Sequence, residues 1–149
     1  MPISFRQALH HDFDYCKRLY FEELEWIVQE LRLDKAAQAA SFQQQWELTQ
    51  VSIIVLDGSD VGWFQTITHD DELFVAQIFV GRPFQRKGIG TEVMKRLIGE
   101  AARLNRTVRL NVVKINPAVK LYERLGFQAI WEDDRKFYMK LDPIARLFN

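Results

Sequence analysis

The strongest structural signal in the sequence comes from residues 72–113. This segment contains an apolar strand, "ELFVAQIFV", a glycine-containing turn, "QRKGIG", an amphipathic helix and a second apolar strand, "TVRLNVV". The helix repeats apolar residues every three or four positions: Ile89, Val93, Leu97, Ala101 and Leu104. Two strands joined through one helix are expected to be parallel, with a right-handed connection. The chain is therefore predicted to contain a sheet with at least one parallel pair.

The residues before this segment predict one strand, two helices and a hairpin. "ISFRQA" alternates apolar and polar residues as a strand does. Asp12 is the expected N-cap of a first helix, whose apolar residues recur at helical spacing: Phe13, Cys16, Tyr20, Leu24, Ile27 and Leu31. A shorter helix is predicted over residues 35–46. "VSIIVL" and "VGWFQTI" are predicted strands, and "DGSD" between them is a tight turn.

The residues after the segment predict a short helix and a closing pair of strands. "NPAVKLYERLG" begins with a helix-capping residue, Asn116, and ends with Gly126. Leu121 and Leu125 are spaced for one buried face, with Tyr122 along a different edge. "FQAIWE" and "KFYMKL" are the last strands, around "DDR". The predicted order β, α, α, β, β, β, α, β, α, β, β indicates an α/β (α+β) fold with one mixed sheet and helices on both faces.

Composition limits the classes of protein that fit. The 149 residues contain no internal repeat or linker, which predicts one domain over residues 1–149. Twenty basic residues balance twenty acidic ones, so the broad basic surface of a nucleic-acid binder is absent. Cys16 is the only cysteine, which favours a reducing compartment. No apolar run suits a signal peptide or a membrane span. We expect a cytoplasmic protein that binds neither nucleic acid nor membrane.

The turn "QRKGIG" places two glycines and two cations at the start of a helix. A helix N-terminus presents N–H groups without intrahelical partners, and the helix dipole adds positive potential. Gly88 and Gly90 would let the backbone approach a phosphate closely and would tolerate positive φ. Arg86 and Lys87 add positive charge. The turn is therefore predicted to bind an anion, with a plain helix start bearing solvated cations as the alternative.

Three phosphate-binding patterns compete for this turn. The P-loop pattern needs GxxxxGK followed by Ser or Thr, which the chain lacks. The dinucleotide pattern needs a third glycine, where Val93 stands, and an acidic residue after the next strand, which ends at Val113 and Lys114. The third pattern, Gln/Arg-x-x-Gly-x-Gly/Ala after a long strand, is matched at every defined position. It is the pattern of the Gcn5-related N-acetyltransferases.

A second motif, "NPAVKLYERLGF" at residues 116–127, strengthens this resemblance. Tyr122 could donate its phenolic proton to a leaving group, and Asn116 could cap the helix or bind an amide-rich ligand. The alternatives are a half-buried packing residue and a simple cap. Together, the two motifs and the order of elements make the chain resemble a single-domain, bacterial-type member of the Gcn5-related N-acetyltransferase (GNAT) superfamily. Two departures are Arg82, where the family often has proline, and a one-residue uncertainty in the alignment at Ala118.

The resemblance implies a mostly antiparallel sheet whose central parallel strands splay apart at a cleft for acetyl-CoA, and it implies no metal. Gln85 would begin the phosphate loop, and the pyrophosphate would be held by the backbone N–H groups of Arg86, Lys87, Gly88, Ile89, Gly90 and Thr91. The pantetheine arm would pair with the backbone of Ile78, Phe79 and Val80, as an added strand does. Asn116, with Ala118 beside it, would contact the arm from the other side, and Tyr122 would lie near the thioester sulfur.

The reaction implied is direct transfer of the acetyl group to a primary amine. A neutral amine attacks the acetyl carbonyl, a backbone N–H near Val80 stabilises the oxyanion, and Tyr122 protonates the departing thiolate. Glu72 is the candidate general base, acting through water, and the alternative is a solvated carboxylate at the strand end. Cys16 has no assigned role in this scheme and is predicted to lie in the core.

The acceptor amine is not identified by the sequence, and a small molecule or a peptide would fit. In this family the first two helices line the acceptor site, and the first predicted helix carries four acids and a tryptophan: Glu22, Glu23, Glu25, Glu30 and Trp26. An acidic, aromatic-edged groove would suit a cationic amine, while a solvated outer face is the alternative. A homodimer through an exposed strand or helix is a further hypothesis. A non-catalytic acyl-CoA sensor on the same fold is the alternative function.

Overall fold

The computed structural model describes residues 2–143 of the chain, and over them it confirms the predicted order of elements. The helices are Phe13–Glu30 (α1), Lys35–Gln45 (α2), Ile89–Arg103 (α3) and Ala118–Arg124 (α4). The strands are Ile3–Gln7 (β1), Val51–Leu56 (β2), Ser59–Thr68 (β3), Glu72–Val80 (β4), Thr107–Val113 (β5), Gln128–Glu132 (β6) and Lys136–Leu141 (β7). Short 3₁₀ turns cover His10–Asp12, Leu48–Gln50 and Arg82–Phe84.

The strands form one mixed sheet in the order β1-β2-β3-β4-β5-β7-β6. β1 pairs antiparallel with β2, and β7 pairs antiparallel with both β5 and β6. β4 and β5 are parallel and pair from Glu72↔Thr107 to Val75↔Leu110, and both strands continue beyond that point. A mostly antiparallel sheet with a central parallel pair is thus confirmed. The placement of helices on both faces stays a prediction.

The chain divides into two compact units, and each is assembled from two separate segments. The first unit contains Met1–Phe64 and Ile78–Gln85, and the second contains Gln65–Gln77 and Arg86–Asn149. β3 and β4 each contribute residues to both units. The prediction of one domain over residues 1–149 stays a prediction.

The core of the first unit is rich in aromatic side chains. Trp63 is fully buried, and its ring lies 5.4–6.0 Å from those of three neighbours: Phe42, Trp46 and Phe79. Cys16 is also fully buried in this cluster, as predicted. Burial raises the pKa of its thiol to about 12, so the group stays protonated and packs as a small apolar side chain.

The core of the second unit is built on α3. The buried residues of this helix are Ile89, Val93, Met94, Leu97 and Ala101. Leu104, predicted to share this face, is 48% exposed because the helix ends one residue earlier, at Arg103. That part of the prediction was wrong.

Two details at helix starts and faces also differ from the sequence predictions. Asp12 stands at the N-cap of α1, but its carboxylate does not cap the helix. It accepts two hydrogen bonds of 2.9 Å from the Arg6 guanidinium on β1 and one of 2.8 Å from the Leu9 N–H, so its oxygens point back towards the residues before the helix. In α4 the buried residue is Tyr122, whereas Leu121 and Leu125 are only partly buried, so the predicted buried face was wrong.

Candidate functional site

The connection after β4 is fixed to the first unit by backbone and side-chain hydrogen bonds. The Gly81 N–H donates to the Val61 carbonyl at 2.9 Å. The 3₁₀ turn Arg82–Phe84 follows, and Gln85 then adopts an extended conformation. The Gln85 side-chain amide donates to the Val80 carbonyl at 2.8 Å. Gln85 therefore closes the end of β4.

The start of α3 has the backbone geometry of an anion site. Arg86 and Gly88 both have left-handed conformations, with φ of 62° and 82°. Gly88 is the N-cap, and the first intrahelical hydrogen bond runs from the Glu92 N–H to its carbonyl at 3.0 Å. The N–H groups of the three residues between them therefore have no intrahelical acceptor: Ile89, Gly90 and Thr91.

The surroundings of this helix start suit a phosphate. A Cβ added at Gly90 would meet nothing within 4 Å, so the space beside its backbone is open. The side chains of Arg86 and Lys87 are exposed and supply positive charge. Free N–H groups, fixed cations and open space beside a glycine are the features that a diphosphate requires. The sequence prediction of an anion site is therefore consistent with the geometry of residues 86–91.

The end of β4 presents selected backbone groups for further pairing. A Cβ at Gly62 would lie 2.2 Å from the Phe79 carbonyl oxygen, which shows that this carbonyl points at β3. Adjacent strand residues direct their N–H and C=O groups to opposite edges, so those of Ile78 and Val80 point away from β3. The Phe79 ring packs on Trp63 inside the first unit. Of the three predicted arm-binding residues, Ile78 therefore directs both of its backbone groups outward, while Val80 directs outward an N–H and a carbonyl that already accepts a hydrogen bond from Gln85.

Asn116 lies just before the start of α4, whose N-cap is Pro117. The Asn116 Oδ1 accepts a hydrogen bond of 2.9 Å from the Ala118 N–H, which uses that amide. The side-chain NH₂ group of Asn116 keeps two donors that could bind a ligand carbonyl. The N-cap of α4 is one residue after the predicted cap, so Asn116 binds the first N–H of the helix from outside it. This contact is compatible with ligand binding by the Asn116 NH₂ group.

Tyr122 is buried in the second unit, with 8% of its surface exposed. Its ring lies 5.9 Å from that of Phe127 in a T-shaped contact, and the Phe127 N–H donates to the Tyr122 carbonyl at 3.0 Å. Burial raises the pKa of its phenol to about 12. The hydroxyl therefore stays protonated near neutral pH, which is the state that a proton donor needs.

Glu72 is placed at the opposite end of β4 from the residues predicted to bind the acetyl group. Glu72 and Val80 are the first and last residues of this nine-residue strand. At about 3.3 Å per residue the ends of such a strand lie roughly 25 Å apart. The Glu72 carboxylate instead accepts a hydrogen bond from Arg109 Nη1 at 3.3 Å. The structure therefore does not bring Glu72 together with Val80.

A surface cavity of about 370 Å³ lies along α1 in the first unit. Its lining residues are Arg18, Phe21, Glu22, Glu25, Val28, Gln29 and Lys35. Of the four acids predicted to form an acidic groove, Glu22 and Glu25 take part. The cavity also contains Arg18 and Lys35, so it carries both signs of charge, and Trp26 is exposed outside it. The cavity is therefore of mixed charge, and the acidic acceptor groove stays a prediction.

Arg82, in the turn after β4, makes a contact with α1 that the sequence did not predict. Its Nη2 donates to the Glu22 carbonyl at 2.8 Å, and its Nε lies 3.6 Å from Glu23 Oε1. Sixty residues separate Arg82 from Glu22, so local spacing carried no signal of this contact. The sequence showed Arg82 only as a departure from the family pattern.

Residues 2–143 contain neither a group of metal-ligating side chains nor a helix that could cross a membrane. No three or more histidine, cysteine, aspartate or glutamate side chains there are grouped as metal ligands would be. None of the helices in this range combines the length and the apolar character required to cross a bilayer.

The fold has the features of the GNAT class: a mixed sheet with one parallel pair, a helix that begins at a glycine after the first strand of that pair, and a tyrosine on the next helix. The sequence model of the Acetyltransferase (GNAT) family matches residues 13–127. The chain belongs to this family.

Three solved structures are similar to the chain in fold. Ard1 from Thermoplasma volcanium has a TM-score of 0.65 at 18% identity, over 95% of this chain and 98% of the other. PaiA N-acetyltransferase from Thermoplasma acidophilum, in complex with coenzyme A, has a TM-score of 0.67 at 14% identity, over 95% and 99%. N-acetylglutamate synthase from Neisseria gonorrhoeae, complexed with coenzyme A and N-acetyl-glutamate, has a TM-score of 0.69 at 18% identity, over 96% and 35%. No curated protein matches the chain in sequence.

Proposed function

We propose that this protein is an N-acetyltransferase that moves the acetyl group of acetyl-CoA directly to a primary amine of a small molecule or peptide. The observation that carries the proposal is the start of α3, where two left-handed residues precede a first turn of unpaired N–H groups beside an open glycine. Any helix start has free N–H groups, but an ordinary one needs neither the two left-handed residues nor the open glycine beside them. The similar PaiA structure is a complex with coenzyme A, which supports the same ligand here.

Each part of the coenzyme would be held by a different group of residues. The backbone N–H groups of residues 86–91 would bind the pyrophosphate, with the Arg86 and Lys87 side chains adding charge. The outward backbone groups of Ile78 would pair with the amides of the pantetheine arm, and the outward N–H of Val80 is left for the acyl group. The Asn116 NH₂ group would donate to a carbonyl of the same arm.

The chemistry that the chain's own residues supply is proton donation and charge stabilisation. Acetyl-CoA brings an activated acyl thioester. Because the Val80 carbonyl is occupied by Gln85, Val80 offers its N–H alone, which can stabilise negative charge on an acyl oxygen. Tyr122 holds a proton on its hydroxyl and would deliver it to the leaving sulfur.

Glu72 would not act as the general base. The carboxylate is engaged by Arg109 at the far end of β4. The amine would therefore lose its proton to water or to another group before attack. Activity would then rise with pH as the neutral fraction of the amine increases, up to the pKa of the amine.

A thermal-shift titration of the purified protein tests the ligand. Acetyl-CoA and CoA should raise Tm, whereas NADH and ATP at the same concentrations should not. A ligand that binds only the folded state stabilises it by about 2.7 kcal/mol at a hundredfold excess over Kd. If a well-folded sample shows no shift with either coenzyme, the proposal fails.

Turnover separates the enzyme from the non-catalytic sensor that the sequence left open. CoA release is followed with acetyl-CoA and a panel of amines: amino acids, polyamines, amino sugars and short peptides. Release that depends on one class of amine supports the enzyme. Tight coenzyme binding without release on any amine would favour the sensor.

A further inference from the structure

Arg82 lies in the connection between β4 and the phosphate-binding turn, and it contacts a distant helix. The guanidinium donates through Nη2 to the Glu22 backbone carbonyl at 2.8 Å and lies with Nε 3.6 Å from Glu23 Oε1. Glu22 and Glu23 are in the middle of α1. This one side chain therefore ties the loop after β4 to the first helix of the same unit.

The contact between Arg82 and Glu23 differs from an ordinary surface ion pair because the Glu23 side chain is mostly buried. The Glu23 side chain is only 21% exposed, and within the described residues its Oε1 is buried and accepts no hydrogen bond. The Arg82 side chain is 63% exposed. A pair with one exposed member adds little to global stability, because solvent screens it. Its main effect is expected on the local conformation of the loop.

The loop has a conformation that needs support. Beyond Arg82 the chain makes a 3₁₀ turn, becomes extended at Gln85 and then has left-handed residues at Arg86 and Gly88. A non-glycine residue with positive φ is strained and persists only where its surroundings hold it. Gly81 and Gln85 are held through hydrogen bonds to Val61 and Val80. Arg82 supplies the third attachment and the only one of these to α1.

We propose that Arg82 is a positioning residue: by anchoring the loop on α1, it holds residues 81–88 in the conformation that receives the phosphates of the coenzyme. This inference rests on the proposed function of the turn. A loop held in its bound conformation before binding loses less entropy on binding, so the anchor raises coenzyme affinity without contacting the coenzyme.

The test uses the full chain and compares Arg82→Gln with a matched control, Arg103→Gln. Arg103 forms an exposed ion pair with Glu100 at the far end of α3. Three quantities are measured: the Kd for CoA by calorimetry, the Tm of the free protein, and amide hydrogen exchange in residues 81–88. Arg82→Gln should raise the Kd about tenfold, which is about 1.4 kcal/mol. It should also speed exchange in the loop and leave the free protein's Tm near that of the wild type.

A second variant tests the route through α1. Glu23→Gln should raise the Kd for CoA by less than Arg82→Gln does. The double variant Arg82→Gln/Glu23→Gln should bind CoA as tightly as Arg82→Gln alone, because both substitutions act through the same contact. If Arg82→Gln does not fold, Arg82→Lys replaces it. Lysine keeps the positive charge but lacks the planar guanidinium, so this variant should still raise the Kd for CoA measurably.

The outcomes separate this inference from the proposed function. A Kd for CoA within twofold of wild type in a folded Arg82→Gln or Arg82→Lys variant would overturn the positioning role. If the wild type itself binds no CoA, the proposed function fails instead. In that case exchange in residues 81–88 still decides the anchoring: wild-type exchange in the variant would refute it, and faster exchange would support it.

Discussion

Replacing Tyr122 with phenylalanine tests the chemical part of the proposal most directly. Burial raises the pKa of this phenol from 10.0 to about 12, which corresponds to a penalty of about 3 kcal/mol against the phenolate. At pH 9 only about one molecule in a thousand would carry the ionised form. Tyr122 should therefore act as a proton donor over the whole practical pH range.

The substitution removes the proton and keeps the ring. Phenylalanine preserves the T-shaped contact with Phe127, so the free energy of unfolding should change by less than about 1 kcal/mol. Loss of a general acid should lower kcat by roughly 10²–10⁴-fold. The affinity for CoA should stay near that of the wild type, so the loss appears in kcat rather than in coenzyme binding.

Steady-state kinetics with the best amine from the panel, from pH 6 to 10, measure both effects. Tyr138→Phe is the matched control, because the Tyr138 hydroxyl bonds the Asp133 carboxylate at 2.9 Å in the last hairpin. This control should keep wild-type kcat. A kcat within threefold of wild type for Tyr122→Phe would refute the assignment. So would a basic limb below pH 10 that is present in the wild type and lost in the variant, because a phenol with a pKa of about 12 cannot produce it.

Three further predictions concern binding and stability. Gly90→Val should fold, since its Cβ meets open space, yet calorimetry should show CoA affinity at least tenfold weaker; unchanged affinity would remove the phosphate site from the proposal. Asp12→Asn should lose about 2 kcal/mol at pH 7, because the Arg6 guanidinium lowers the pKa of the carboxyl from 3.8 to about 2. This advantage of the wild type is present above pH 3.8 and disappears as the pH falls through about 2. The free energies of unfolding of the two proteins, measured in urea from pH 7 to 2, should therefore converge. A difference that stays constant over this range would contradict the prediction. Gly62→Ala should destabilise by about 3 kcal/mol, because its Cβ would lie 2.2 Å from a backbone oxygen. Gly99→Ala on open helix surface should stabilise by roughly 0.5–1 kcal/mol, and thermal unfolding that ranks the two alanine variants otherwise would refute the packing argument.

Much of the fold follows from short-range patterns. The strands "VSIIVL", "ELFVAQIFV", "TVRLNVV" and "KFYMKL" occur with the predicted bounds, because apolar runs bounded by turn residues are a local signal. Two of the errors lie where tertiary contacts overrode that signal. The Asp12 carboxylate turned to Arg6 on a neighbouring strand, and Tyr122 took the buried position that the spacing of Leu121 and Leu125 suggested for them.

The candidate site divides in the same way. The phosphate turn was predictable because its residues are contiguous, and glycine at a helix start has a direct conformational meaning. The rise per residue of a strand is enough to separate Glu72 from Val80. The separation of the candidate base from the acetyl site could therefore also be predicted from the sequence. The contact of Arg82 with Glu22 and Glu23 was not predictable from the sequence. Sixty residues separate Arg82 from Glu22, and no periodicity links the two segments.

The division of the chain has a consequence for how the protein is made. The first unit needs residues 78–85 to complete it, and these are synthesised after residues 65–77, which belong to the second unit. A nascent chain that ends at residue 64 therefore lacks part of its own unit. Contacts between segments distant in sequence also slow folding, because the intervening loop must be closed first. We expect the emerging chain to stay exposed to proteases and chaperones until at least residue 85 has left the ribosome.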